Sequence, residues 1–192
     1  MVIAPKLDRR VVKTKEAINK AFLELFSEKE LEQITINDIS ERANVNRGTV
    51  YLHYSDKYDL LDKSIEEHLN KLITFCSANE TKAGDGTLIS DLLPVFVYFE
   101  NHYMFFSAML SNQRTTVFRA RLLAFISANV KEKLRKQEPQ SDIDNELKAQ
   151  FMASAFVGIV EWWIQHQMPH ATSYMAEQLW KLFAKNDIFP DQ

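Results

Sequence analysis

Residues 35–54, TINDISERANVNRGTVYLHY, hold the side chains of this sequence best suited to chemistry with a partner. Arg47, Thr49, Tyr51 and His53 bring a guanidinium, two hydroxyls and an imidazole into one short run. Arg47 and Thr49 above all are not required by the surrounding apolar pattern. Groups of this kind bond to base edges and phosphate oxygens. Gly48 stands among them without a side chain, so the backbone there can come close to a large partner. The chemistry implied is non-covalent readout of a nucleic acid.

Bond-making chemistry has no comparable set. The chain contains no Gly-rich phosphate loop, no Cys-His nucleophile pattern and no HExxH run. Glu161, beside Trp162 and Trp163, is the one carboxylate set in an apolar run. His166 and His170 are four residues apart near it, but Pro169 between them predicts that the helix has already ended, so no metal site is assigned. Cys76 is the single cysteine, which excludes an internal disulfide and a Cys-based zinc site; it reads as a small apolar helix residue. An enzyme is not expected, nor a cofactor.

Two short helices must hold residues 35–54 in place. Thr35 can cap the first, with Asp38 three residues on completing a capping box, and Ile36, Ile39 and Ala43 mark one face. Asn44 tolerates the left-handed conformation that ends helices, and Asn46 can cap a helix over 47–53. Ile39, Ala43, Val45 and Val50 supply the apolar contacts that lock two short helices at a steep angle, the helix-turn-helix arrangement. A helix over 9–29 with Ile18, Phe22 and Leu25 on one face precedes them. A fourth, capped by Ser55 and running through Leu60, Ile65 and Leu72, follows.

The rest of the chain reads as helix too. Four glycines and five prolines in 192 residues fall below what the turns of a sandwich or barrel consume. Beyond a polar stretch at 77–87, helices are predicted at 88–100, 102–111, 115–137, 142–168 and 172–187, with stops at Pro139, Pro169 and Pro190 and a kink or break at Pro94. The fold class is therefore all-α with about nine helices. No apolar run is long enough to span a bilayer and no leader run is present, so a cytoplasmic protein is expected.

The charge pattern refines the first impression. With 23 basic and 26 acidic residues the net charge is −3, which excludes binding of nucleic acid by bulk basicity. Yet Lys6 to Lys20 carries six bases against two acids, and Arg42 to Lys57 three against one, while Glu24 to Glu41 carries six acids against Lys29 alone. The positive charge gathers at the start of the first helix and around the third.

Residues 9–75 resemble the DNA-binding region of the TetR family of bacterial regulators. The resemblance is carried by Thr35, Ile36, Ile39, Ser40, Ala43, Asn44, Val45, Asn46, Gly48, Thr49, Val50, Tyr51, His53, Tyr54, Lys57 and Leu60, at ungapped spacing, with Asn44 where the family has a turn Gly and Asn46 where it has a capping Ser. It implies a DNA-binding domain over 1–75 and a regulatory, dimerising domain over 76–192. It implies that Arg47, Gly48, Thr49, Tyr51 and His53 line the recognition surface and that Thr35, Tyr54 and Lys57 grip phosphates; packing between helices suits Tyr54 equally well. Arg10 and Lys13 are backbone candidates on charge alone.

For the second half the resemblance is one of outline. It implies that the last two helices form a dimer bundle. Phe151, Ala155, Ile159 and Trp162 form one apolar stripe, Phe156, Val160 and Trp163 a second, and Leu179 and Phe183 lie on the last helix. The interface is assigned to Phe151, Ala155, Ile159, Trp162, Leu179 and Phe183, with a plain intrachain core as the alternative. Phe96, Phe99, Tyr103, Phe106, Phe125 and Trp163 are candidate walls of an apolar ligand cavity, or equally an aromatic core. The function implied is a homodimeric repressor on a palindromic operator in double-stranded DNA. A small apolar or aromatic effector would pivot the fourth helix and misplace two recognition helices that must sit ~34–36 Å apart. The alternative is an activator, or a regulator whose effector is a protein.

Overall fold

The computed structural model describes residues 9–78, 88–110, 116–137 and 143–185. The polar stretch 79–87, the stops at Pro139 and Pro190, the outer helix ends at 111, 115, 142 and 186–187, and the Cys76 side chain lie outside the described residues. Among the described residues all regular structure is helical: α1 (Arg9–Glu28), α2 (Ile36–Arg42), α3 (Arg47–Tyr51), α4 (Lys57–Ala78), α5 (Leu88–Asn101), α6 (Tyr103–Leu110), α7 (Thr116–Gln137), α8 (Asn145–Gln165) and α9 (Thr172–Lys185), with a short 3-10 turn at Leu31–Gln33 that the sequence pattern did not predict. The chain divides into two compact units, Met1–Glu67 and His68–Gln192, and α4 supplies residues to both.

The first unit is built on α1. Ile18, Phe22, Leu25 and Phe26 are buried along one side of it, at the spacing that brings side chains onto one helical face. They share the core with Ile34, Ile39, Val50, Tyr54 and Leu60. The start of α4 departs from expectation: Asp56 and not Ser55 is the cap, its carboxylate accepting from the Tyr58 and Asp59 N–H groups at 2.8 Å each. Ser55 instead donates its own N–H to Asp59 at 2.8 Å. A carboxylate offers the stronger acceptor at a positive helix end.

In the second unit α8 packs against α7 and α6, and α5 against α9. The core is aromatic. Phe96 meets Trp163 edge to face at 5.4 Å, Phe99 lies 4.4 Å from Phe106, and Phe105 stands perpendicular to Phe118 at 5.6 Å. α5 runs through Pro94 as one helix; a proline in its second turn forfeits a single backbone bond. α8 ends at Gln165, three residues before the predicted 168. Gln167 and Met168 turn left-handed, at φ 59° and 54°. The Gln167 N–H bonds to the Ile164 carbonyl at 3.0 Å and the Met168 N–H to the Trp163 carbonyl at 2.8 Å, a Schellman turn without its usual glycine. Trp163 then donates its indole N–H to the His170 carbonyl at 2.9 Å, holding the turn into α9.

Candidate nucleic-acid interface

The turn between α2 and α3 is set by local hydrogen bonds. Thr35 accepts the Asp38 N–H at 3.2 Å while Asp38 accepts the Thr35 N–H at 2.9 Å, so the expected capping box is formed. Lys29 bonds the same carboxylate at 2.7 Å. That bond first, and the Thr35 N–H second, hold the Asp38 carboxyl at about 2. α2 ends on Asn44 at φ 52°. The Asn44 N–H reaches the Glu41 carbonyl at 3.1 Å and the Val45 N–H the Ser40 carbonyl at 3.0 Å. This is a second Schellman turn, and Asn pays little for the left-handed position. Asn46 then caps α3 by accepting the Gly48 N–H at 2.8 Å. A Cβ on Gly48 would stand 3.3 Å from that same Asn46 oxygen, so the glycine relieves the cap as well as baring the surface.

With both helices fixed, the α3 side chains sort by face. Val50 and Tyr54 are buried. Arg47, Gly48, Tyr51 and Leu52 are exposed, and Thr49 and His53 are half-buried. Arg47 donates to the Tyr51 hydroxyl at 3.1 Å and lies 5.4 Å from its ring centre. The two form one unit across a helical turn, holding the guanidinium at the surface with N–H donors to spare.

Other expected contacts take different roles. Tyr54 belongs to the core: burial raises its phenol above the ordinary range, and a hydrogen bond with Asn19 partly offsets this. Its hydroxyl is directed within its own unit, not outward to a phosphate. Lys57 donates to the Glu32 and Ile34 carbonyls at 2.7 and 2.9 Å. It therefore pins the 3-10 segment to α4 and spends two of three ammonium donors there. Thr35 is exposed, and its cap uses an oxygen lone pair while the hydroxyl hydrogen is not needed for it.

The charge map changes as well. Arg42 is not a bare cation beside α3. It forms a bidentate pair with Glu28 at 2.8 and 2.9 Å and lies 3.7 Å from Glu24. Its hydrogen bonds hold the Glu28 carboxyl below the usual glutamate range. The acidic end of α1 is thus a docking point for α2. Two further positions went unnoticed in the sequence. Ser64 donates to Asn19 at 3.0 Å. Lys63 bonds Asp59 at 2.8 Å and the His53 carbonyl at 3.2 Å and lies 5.6 Å from the Tyr54 ring centre. The Asp59–Lys63 spacing of four was readable as a helical pair; the links across helices carry no local signal.

In the second unit, Phe96, Phe99, Phe106 and Trp163 come together and are fully buried, Phe125 is half-buried, and Tyr103 stands exposed at the first residue of α6. Of the residues assigned to an interface, Phe151 and Trp162 are exposed and Ala155 and Ile159 half-buried on the outward side of α8. Leu179 and Phe183 are buried within their own chain. The outward apolar residues of α9 are Tyr174 and Leu182 instead. Among the described residues no three His, Cys, Asp or Glu side chains gather as a metal cluster, and no helix is long and apolar enough to cross a membrane.

Residues 18–63 match the family model described as bacterial regulatory proteins, tetR family, and residues 87–185 the model described as a transcriptional regulator C-terminal region. The HTH-type transcriptional regulator YxbF of Bacillus subtilis is 44% identical over 69 residues, which is 35% of this chain but only 18% of that protein's length. The HTH-type transcriptional repressor BepR of Brucella suis is 25% identical over 171 residues, covering 79% of this chain and 80% of BepR. The structure of a TetR-family regulator from Syntrophomonas wolfei superposes with a TM-score of 0.72 at 20% identity, covering 92% of this chain and 95% of that one. Helix-turn-helix geometry, the helical second unit and both family matches agree: the chain belongs to the TetR family of bacterial regulatory proteins.

Proposed function

We propose that this chain is a homodimeric repressor that binds a palindromic operator in double-stranded DNA through α3. The observation that carries this reading is the Arg47–Tyr51 pair, held at the surface of a helix whose two ends are fixed by the Asn46 cap and the Val50–Tyr54 core contacts. Thr49, His53 and the exposed Thr35 stand beside it as further contacts, and Lys57 retains one donor for a phosphate. BepR, a repressor similar over most of its length, supports repression. The outward stripe of α8, with small Ala155 and Gly158 between Phe151 and Trp162, supports close pairing with a second copy. The experiment is selection of bound duplexes from a random pool, then mobility shift with the wild type and Arg47→Ala. The expected outcome is a two-fold symmetric consensus and an affinity about 10- to 100-fold lower in the variant. Recovery of no consensus overturns the reading.

Release by a small apolar or aromatic effector within the second unit rests on the rings of α5, α6 and α8. A ligand that raises the thermal midpoint and weakens operator binding would identify it. A second reading, in which the effector is a protein, is favoured by the direct ring-to-ring contacts of Phe96 with Trp163 and of Phe99 with Phe106. Failure of apolar ligands to shift the midpoint, with a protein partner relieving repression, would select it.

A further inference from the structure

Leu52 is 81% exposed, the most exposed of the large apolar side chains described. It sits at the C-cap of α3 with helical dihedral angles, φ −65° and ψ −23°. The Tyr54 N–H still bonds to the Val50 carbonyl at 2.9 Å, so the helical path continues past it. Leu52 is two residues from each of the buried Val50 and Tyr54, about 200° around a helix of 3.6 residues per turn. It therefore lies opposite the core, at the middle of the face that points away from the protein. Gly48, one turn earlier on the same face, adds no side chain, so Leu52 stands clear of its own helix. Arg47 and Tyr51 flank it on one side and Thr49 on the other.

A leucine in that place is unexplained by folding. Its side chain is not part of the core, and leaving it in water forgoes most of the stabilisation that burying a leucine gives. Its neighbours are hydrogen-bonding groups suited to base edges, and the apolar feature that a major groove offers at the same depth is the C5-methyl group of thymine. We propose that Leu52 is a specificity-determining residue that reads a thymine methyl in each half-site. This rests on α3 being the recognition helix. The Arg47–Tyr51 unit would supply the polar part of the readout, and Leu52 would favour thymine where hydrogen bonding alone leaves the choice of base open.

The test uses the operator recovered from the random pool and replaces each thymine in turn by deoxyuridine, which removes only the methyl group. Binding is measured for the wild type and for Leu52→Ala. An exposed leucine contributes little to folding, so an unchanged thermal midpoint is expected for the variant. For the wild type, one symmetry-related thymine should show about fourfold weaker binding on losing its methyl, the worth of one buried methyl group. In Leu52→Ala the thymine and deoxyuridine duplexes should bind equally. The proposal is overturned if no thymine is methyl-sensitive, if the sensitivity survives in Leu52→Ala, or if Leu52→Ala weakens every duplex alike. Failure of the wild type to select any sequence would instead remove the recognition-helix reading itself.

Discussion

Thr35 shows how one side chain can carry two duties with separable consequences. Its hydroxyl oxygen closes the α2 capping box, and its exposed hydroxyl hydrogen suits a phosphate. Thr35→Ala is expected to cost about 1 kcal/mol of stability, as loss of an N-cap does, measured by urea unfolding. Thr35→Asp keeps the cap but brings a negative charge toward DNA, so it should fold well and bind the operator poorly in a mobility shift. Arg42 warns against reading charge from a segment's total. It lies a short turn before α3 in sequence but is occupied by Glu28 and Glu24 on α1. Among the three bases of the 42–57 segment, Arg47 is the one held at the exposed face of α3.

At the level of elements, helix ends decide more here than helix interiors. Asn44 was legible because an Asn between a small-residue helix end and a capping Asn is a readable turn. The α8 ending was not, because its left-handed position is filled by Gln167, which has no turn preference. A residue with a Cβ pays roughly 1–2 kcal/mol for that conformation. Gln167→Gly should raise stability by about 1 kcal/mol in chemical denaturation, with the fold unchanged. α8 also resolves an ambiguity of its own pattern. Both apolar stripes exist, and burial assigns them: Phe156, Val160 and Trp163 face the core while Phe151 and Trp162 face out. Phe151→Glu should therefore convert a dimer to folded monomer in sedimentation measurements. Leu179→Ala should lower unfolding stability by about 2–5 kcal/mol, as a core cavity does.

At the scale of the whole molecule, a half-buried histidine at the start of the second unit makes stability depend on acid. His68 on α4 hydrogen-bonds the Tyr98 hydroxyl through Nδ1 at 2.6 Å and stacks on Phe105 at 3.8 Å. His102, whose Nδ1 donates to the Tyr98 carbonyl at 2.9 Å, lies 5.1 Å away ring to ring. Burial first, then the charges of His102 and Lys71, push the His68 imidazolium down from 6.5 to about 3. The unfolded chain takes up this proton below about 6.5 and the folded chain does not until about 3, so stability falls as pH drops through that window, by at most about 1.4 kcal/mol per pH unit from this group. Asp38 adds a second loss lower down, between 3.8 and about 2, as its carboxylate is protonated. His68→Asn, which can keep a bond to Tyr98, should flatten the upper part of the stability curve between pH 6.5 and 4 and leave the Asp38 part intact. A curve unchanged by the substitution would place the acid sensitivity elsewhere.

Local physics explains what could be read without coordinates. Helical class, the capping box, the Asn44 turn and the outward residues of α3 all depend on neighbours within about four residues, where periodicity and capping chemistry act. The turn at Gln167, the Asp56 cap, the pinning of Lys57 to the Glu32 and Ile34 carbonyls, and the capture of Arg42 by α1 depended on competing partners or on residues 14 to 25 positions away. Only the folded chain brings those groups within bonding distance. The sequence alone thus determined which helices form and which side chains α3 turns outward. The tertiary structure decided which polar groups are already engaged, which apolar stripe of α8 stays outside, and that Leu52 stands uncovered opposite the core of the first unit.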